Sequence, residues 1–218
     1  RGRCVRIAER MNPQTRQAIR SLAPVNTAVV AVNIIVFIIM SLIGDTENSI
    51  FMLTHGASFA PLIVEGHEYW RLLTCMFLHF GVRHLFNNML VLAFVGDRLE
   101  KSAGKVRYMI IYFGGGLLSS LASVGFEYWS GDFYVSAGAS GAIFAVVGAV
   151  AWIVIRDRGQ FQEISMFQII MFILFSIYLG FQNGGVDNAA HVGGLISGFA
   201  LGFLICRRKI YRRRQARG

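Results

Sequence analysis

Six apolar blocks, each at or near the length of a bilayer crossing, divide this sequence almost from end to end. They are Val25–Ile43, Leu72–Val95, Tyr108–Phe126, Ser140–Ile155, Ser165–Phe181 and Ala189–Cys206. A hydrocarbon core of ~30 Å takes about 20 helical residues to cross. A segment in lipid must also satisfy its backbone polar groups internally. The blocks therefore predict an all-α membrane protein. We expect a six-transmembrane-helix bundle over residues 25–206, a basic cytoplasmic N-terminal segment at 1–24 and a basic cytoplasmic tail at 207–218. Composition bears this out: 55% of residues are hydrophobic and only 15% charged, too few charges to cover a soluble surface.

The net charge of +9 could suggest nucleic acid, but its distribution points to membrane topology instead. All but Arg71 and Arg83 of the 21 basic residues fall in the N-terminal segment, the second-to-third connection, the fourth-to-fifth connection or the tail. With six spans these all lie on one side, so both termini are expected in the cytoplasm. Asp45, Glu47, Glu65, Glu68, Glu127, Asp132 and Asp187 fall on the other side. The first block follows a long polar stretch and lacks a small-residue cleavage site, so it reads as a retained span. Cys4, Cys75 and Cys206 imply no disulfide framework. The long connection from Gly44 to Arg71 carries Phe51, Phe59, Ile63, Tyr69 and Trp70 and reads as an interfacial first loop.

Polar residues inside the spans are costly and usually functional. The second block carries His79, Arg83, His84, Asn87 and Asn88; the fourth opens on Gly138-Ala139-Ser140-Gly141; the sixth opens on Asn188-Ala189-Ala190-His191. Ser140 precedes Arg156, and His191 precedes Arg207, by about 16 residues, or roughly 24 Å of helix. His84 precedes Arg98 by about 14. A hydroxyl and two imidazoles thus share one layer in the outer half of the membrane. Gly194, Gly198 and Gly202 recur every four residues in the sixth block, and Gly141, Ala145 and Ala149 do so in the fourth. Such stripes let two helix backbones approach closely and would bring Ser140 and His191 together as nucleophile and general base. Taken singly, each feature has a plainer explanation: serines bond their own helix, histidines sit satisfied in cores, glycine stripes only pack. The conjunction at one depth is what points to chemistry.

Five ordered motifs carry a resemblance to the rhomboid family along nearly all of residues 25–206. They are Glu68-Tyr69-Trp70-Arg71; His79 through Asn88; the GxxxExxxG of Gly96, Glu100 and Gly104; Gly138-Ala139-Ser140-Gly141; and Ala190-His191-Val192-Gly193-Gly194. The resemblance implies an intramembrane serine endopeptidase acting on transmembrane protein substrates within the lipid bilayer, without a cofactor or metal. It implies Ser140 as nucleophile and His191 as general base. The N–H of Ser140, His84 and the amide of Asn88 would form the oxyanion hole. His79 would be a structural histidine near a hydrated cavity, Trp70 and Arg71 a brace in the first loop, and Glu100 a cap at the cytoplasmic end of the second span.

Phe144 stands where many members of that family have Tyr; stacking on His191 is expected to survive the change. Arg83 and Asn87 flank the proposed hole where apolar residues are common. Asp187, four residues before His191, is a candidate third member of the pair. A non-catalytic rhomboid-like protein binding membrane clients is the alternative, disfavoured because Ser140 and His191 are both present. A transporter would place acidic residues near mid-span, and none lie there. His79, His84 and His191 have no carboxylate or thiol beside them in the motifs to complete a metal site. A bacterial inner membrane is the expected location. Substrate identity and oligomeric state are not legible.

Overall fold

The computed structural model describes residues 23–158, 160–161, 164–183 and 186–206. The basic stretches at 1–22 and 207–218, on which the orientation reading draws, lie outside the described residues. Three helices, Pro24–Ile43, Lys105–Ser130 and Asn188–Ile205, are each long and apolar enough to cross a membrane, and the bent pair Arg71–Phe77 and Gly81–Ala103 together makes a fourth. Ser140–Arg156 and Met166–Asn183 complete the six. Residues 160–161 and 164–165 form a two-stranded antiparallel hairpin between the fourth and fifth, a feature hydropathy does not reveal.

The second block departs from the expected single span. The chain breaks between Phe77 and Gly81 at an angle of 92°, so the long straight helix begins at Gly81 and Leu72–Phe77 continues the first loop. Leu78 is extended at φ −91°, ψ 147°, and Gly81 starts the helix with φ +74°, a conformation glycine adopts without steric cost. His79 therefore lies in the bend, not in the span. At its other end this helix runs on to Ala103, passing through one π-helical stretch at Leu92–Gly96.

The first helix buries Asn26, Val29, Asn33 and Met40, a single stripe at helical spacing. The fourth buries nearly every residue from Gly141 to Val154, so it is the bundle's central helix. The small side chains of Ala142, Ala145, Gly148 and Ala149 let neighbours close around it. Leu92, Leu99, Tyr108, Ile111, Tyr112, Val146, Val150 and Ile153 pack with it in one core.

Carboxylates of the second span satisfy the start of the first. Glu100 accepts from the Val25 N–H (3.1 Å) and the Asn26 N–H (2.6 Å), and Asp97 from the Ala23 N–H (3.2 Å). These are orphan donors of a helix start, so Glu100, near the end of the second span, acts as a cap for the start of the first. The Tyr108 hydroxyl donates to Asn26 Oδ1 at 2.6 Å beside Gly96. In the first loop, the buried Arg71 donates from Nη1 to the carbonyls of Leu53 (2.7 Å) and Ala57 (2.9 Å) and pairs with Glu68 at 2.5 Å. Its guanidinium lies 4.6 Å from the Trp70 ring centroid. Ile50, Val64, Tyr69, Trp70 and Leu73 of this loop are exposed, as an interfacial segment requires.

Candidate active site

The fourth and sixth helices run parallel in one four-residue register. A Cβ added to Gly194 would lie 2.2 Å from the Gly141 carbonyl oxygen, one on Gly198 1.9 Å from that of Ala145, and one on Gly202 2.9 Å from the Ala149 Cα. Backbone meets backbone, as the small-residue stripes predict. Ser140 is the first residue of the fourth helix, so its N–H is one of the donors a helix start leaves unpaired. One turn on, Phe144 stacks on the His191 ring with centroids 4.2 Å apart and planes 11° from parallel. Residues four apart share a helix face. His191, in the first turn of the sixth helix, therefore lies against the face that carries Ser140.

The segment before Ser140 is fixed along its backbone. Ser136 pairs with Ser58 in an antiparallel bridge. The Gly138 N–H donates to the Cys75 carbonyl (2.9 Å) and the Ala139 N–H to His79 Nε2 (3.4 Å). His79, 1% exposed, thus braces the turn into the fourth helix. Gly138 has φ +145°, and a Cβ there would sit 2.7 Å from the His84 ring and 3.6 Å from the Asn88 amide nitrogen. His84 and Asn88 converge beside the Gly138 α-carbon, and His84 packs edge-on to His79 at 5.2 Å. Arg83 and Asn87, one position earlier on the same helix, are exposed and stand outside this buried group.

Three buried polar atoms here lack partners among the described residues: the Asn88 amide nitrogen, His79 Nδ1 and His191 Nδ1. A donor buried without an acceptor costs about 1–3 kcal/mol and calls for an explanation. Asp187 does not serve His191. Its carboxylate accepts from the Ala190 N–H (2.8 Å), the Ser123 hydroxyl (2.5 Å), the Ser136 hydroxyl (2.8 Å) and the Tyr134 hydroxyl (3.2 Å). Burial, and then the Asp187 charge, push the Tyr134 phenol up, so it remains a donor. Motif reading did not find Ser123, Tyr134 or Ser136. Among the described residues no group of three or more His, Cys, Asp or Glu is placed to hold a metal ion. A cavity of about 430 Å³ lies between the second and fifth spans, lined by Phe94, Arg98, Val147, Ile169 and Phe172 among others. The ring of Phe172, one of its lining residues, is 5.6 Å from that of Phe144.

Comparison with known proteins shows the family. The family model of the rhomboid domain matches residues 66–208. Rhomboid protease GluP of Bacillus subtilis (strain 168) is 38% identical over 170 residues, covering 78% of this chain and 32% of that protein. RHOMBOID-like protein 1 of Arabidopsis thaliana is 40% identical over 169 residues, covering 72% and 39%. Putative rhomboid protease YdcA of Bacillus subtilis (strain 168) is 32% identical over 189 residues, covering 86% and 92%. The chain thus spans less than half the length of the first two and nearly all of the third.

Proposed function

Since the chain belongs to the rhomboid family, we propose that it is an intramembrane serine endopeptidase in which Ser140 attacks the peptide carbonyl and His191 takes the serine proton. The observation that carries this reading is the unpartnered amide of Asn88, buried beside Gly138 at the mouth of the helix that begins with Ser140. A preorganised donor stabilises charge as it develops, and one such donor contributes about 3 kcal/mol in comparable sites. The Ser140 N–H and His84 are the further donors. His191 acts without a carboxylate: Asp187 is committed elsewhere. Phe144 holds the imidazole by stacking and adds no hydroxyl.

The fourth helix has 17 residues, about 26 Å of rise against a ~30 Å core. With Arg156 at the cytoplasmic face, Ser140 lies below the outer surface. Substrates are then single-span proteins that present the outer third of their helix. An intact helix hides its carbonyls in i to i+4 bonds, so a cleavable segment must unwind, and weak helix formers favour this. Gly138, Ala139 and Gly141 line the serine, so the residue before the scissile bond is small. Both termini face the cytoplasm, following the basic residues.

Incubating the purified protein with a panel of single-span substrates tests the reading. The native protein cleaves at least one near the outer end of its span, and Ser140→Ala cleaves none. Persistent turnover by Ser140→Ala removes the assignment.

A further inference from the structure

Asp187 is more heavily engaged than a helix cap needs to be. An N-cap side chain satisfies one or two donors at a helix start, and Asp187 does this through the Ala190 N–H. Three hydroxyls converge on the same carboxylate. Oδ1 receives the Ala190 N–H and Tyr134; Oδ2 receives Ser123 and Ser136. A carboxylate offers about four acceptor sites, and two donors on each oxygen fill them. No lone pair is left for an imidazole, and His191 Nδ1 has no partner among the described residues.

The donors come from three places. Ala190 immediately precedes His191 in the sixth helix. Tyr134 and Ser136 lie in the segment leading into Ser140. Ser123 is buried in the third helix, where the neighbouring turn holds Glu127, which accepts from the Tyr134 N–H at 3.4 Å. Ser119, one turn earlier on that helix, donates to the Ala190 carbonyl at 2.7 Å. One carboxyl group therefore connects the element that bears the base with the segment that bears the nucleophile, and anchors both on a third helix.

We infer that Asp187 is a positioning residue, whose carboxylate sets the register of His191 against Ser140 by gathering Ala190, Ser123, Tyr134 and Ser136. The inference rests on the Ser140–His191 reading above. Loss of the carboxylate frees the 134–139 segment from the sixth helix at its outer end. Misplacement of reacting groups by about 1 Å lowers turnover on the order of a hundredfold without changing how the substrate binds. Asn at this position keeps most of the arrangement: its carbonyl accepts the Ala190 N–H and its amide donates to hydroxyls that turn to accept. A carboxylate working directly on the histidine behaves differently, since its conversion to Asn costs about 10⁴-fold in kcat.

The test is steady-state kinetics of the full chain in liposomes on one single-span substrate, with thermal unfolding recorded for each variant. Asp187→Ala is expected to lower kcat roughly a hundredfold with KM little changed, and Asp187→Asn to recover most of the loss. Ser136→Ala combined with Tyr134→Phe lowers kcat in the same direction and is non-additive with Asp187→Ala. Unchanged kcat in Asp187→Ala overturns the inference, as does an Asp187→Asn protein as impaired as the Ala variant. Should Asp187→Ala fail to fold, the Ser136/Tyr134 pair decides, and unchanged kcat there overturns it. Ser140→Ala is run in parallel: turnover in that variant overturns the underlying reading, whereas a silent Ser140→Ala beside a fully active Asp187→Ala overturns the inference alone.

Discussion

Asn88 and Asn33 are both nearly inaccessible amides inside the bundle, yet they are held differently. Asn33 donates to the Val29 carbonyl of its own helix at 2.9 Å. The Asn88 amide nitrogen finds no acceptor among the described residues. We expect Asn88→Ala to reduce kcat by roughly ten- to a thousandfold with a smaller effect on KM, because the donor acts on charge that develops during reaction; kinetics in one detergent or lipid system measure this, and an unchanged kcat makes Asn88 a packing residue. Ser140→Ala and His191→Ala should each abolish turnover, and the double variant should be no worse than either, since paired catalytic groups act as one unit. The sequence nominates Ser140, His191 and His84 by their shared depth and Asn88 by its motif. It does not show which groups Asp187 and Glu100 satisfy. Their partners lie about 50 to 75 residues away along the chain, at 123, 134 and 136 for one and at 25 and 26 for the other, and nothing local announces a cap that serves another element.

At the scale of elements, the contact between the fourth and sixth helices brings backbone against backbone at Gly194, Gly198 and Gly202. Leucine at Gly198 would have to displace the Ala145 carbonyl, and overpacking of that kind costs about 1–3 kcal/mol or more. Gly198→Leu should therefore lower the unfolding temperature and remove activity. Gly125, in the third helix, has nothing within 4 Å of an added Cβ. Gly125→Ala should be tolerated or stabilise by up to about 1 kcal/mol, from helix propensity alone. Thermal unfolding of the two variants side by side checks the pair; equal behaviour would mean that the helix contact is looser than described. The stripe spacing shows this contact in advance, because a period of four in small residues has few other uses in lipid. The break at residues 78–80 is hidden for the opposite reason: Leu72 to Leu78 is apolar but for Thr74, and hydropathy does not distinguish an interfacial helix from the start of a span. Gly81 is the local signal in hindsight.

For the whole molecule, six spans place both ends on one side, and cysteines introduced at the two termini should react only with reagent admitted to the cytoplasmic face. An external C-terminus would imply an odd number of spans and would reverse the depth of His191 relative to Ser140. Under the proposed function, the same geometry sets where substrates are cut. Fragments should map to the outer third of a single-span helix, after a small residue, and a leucine run through that segment should slow cleavage by opposing its unwinding. Orientation is expected from charge and depth from helix rise, while the carbonyls of Leu53 and Ala57 that Arg71 reaches leave no mark in the sequence, since any residue would supply them. All of this depends on one activated serine at the head of the central helix. The most direct measurement is to treat the protein in bilayers with a fluorophosphonate and locate the adduct by peptide mass spectrometry. The adduct should sit on Ser140 and be lost in His191→Ala with the fold intact; a protein that cleaves substrate yet is labelled elsewhere, or not at all, contradicts the account.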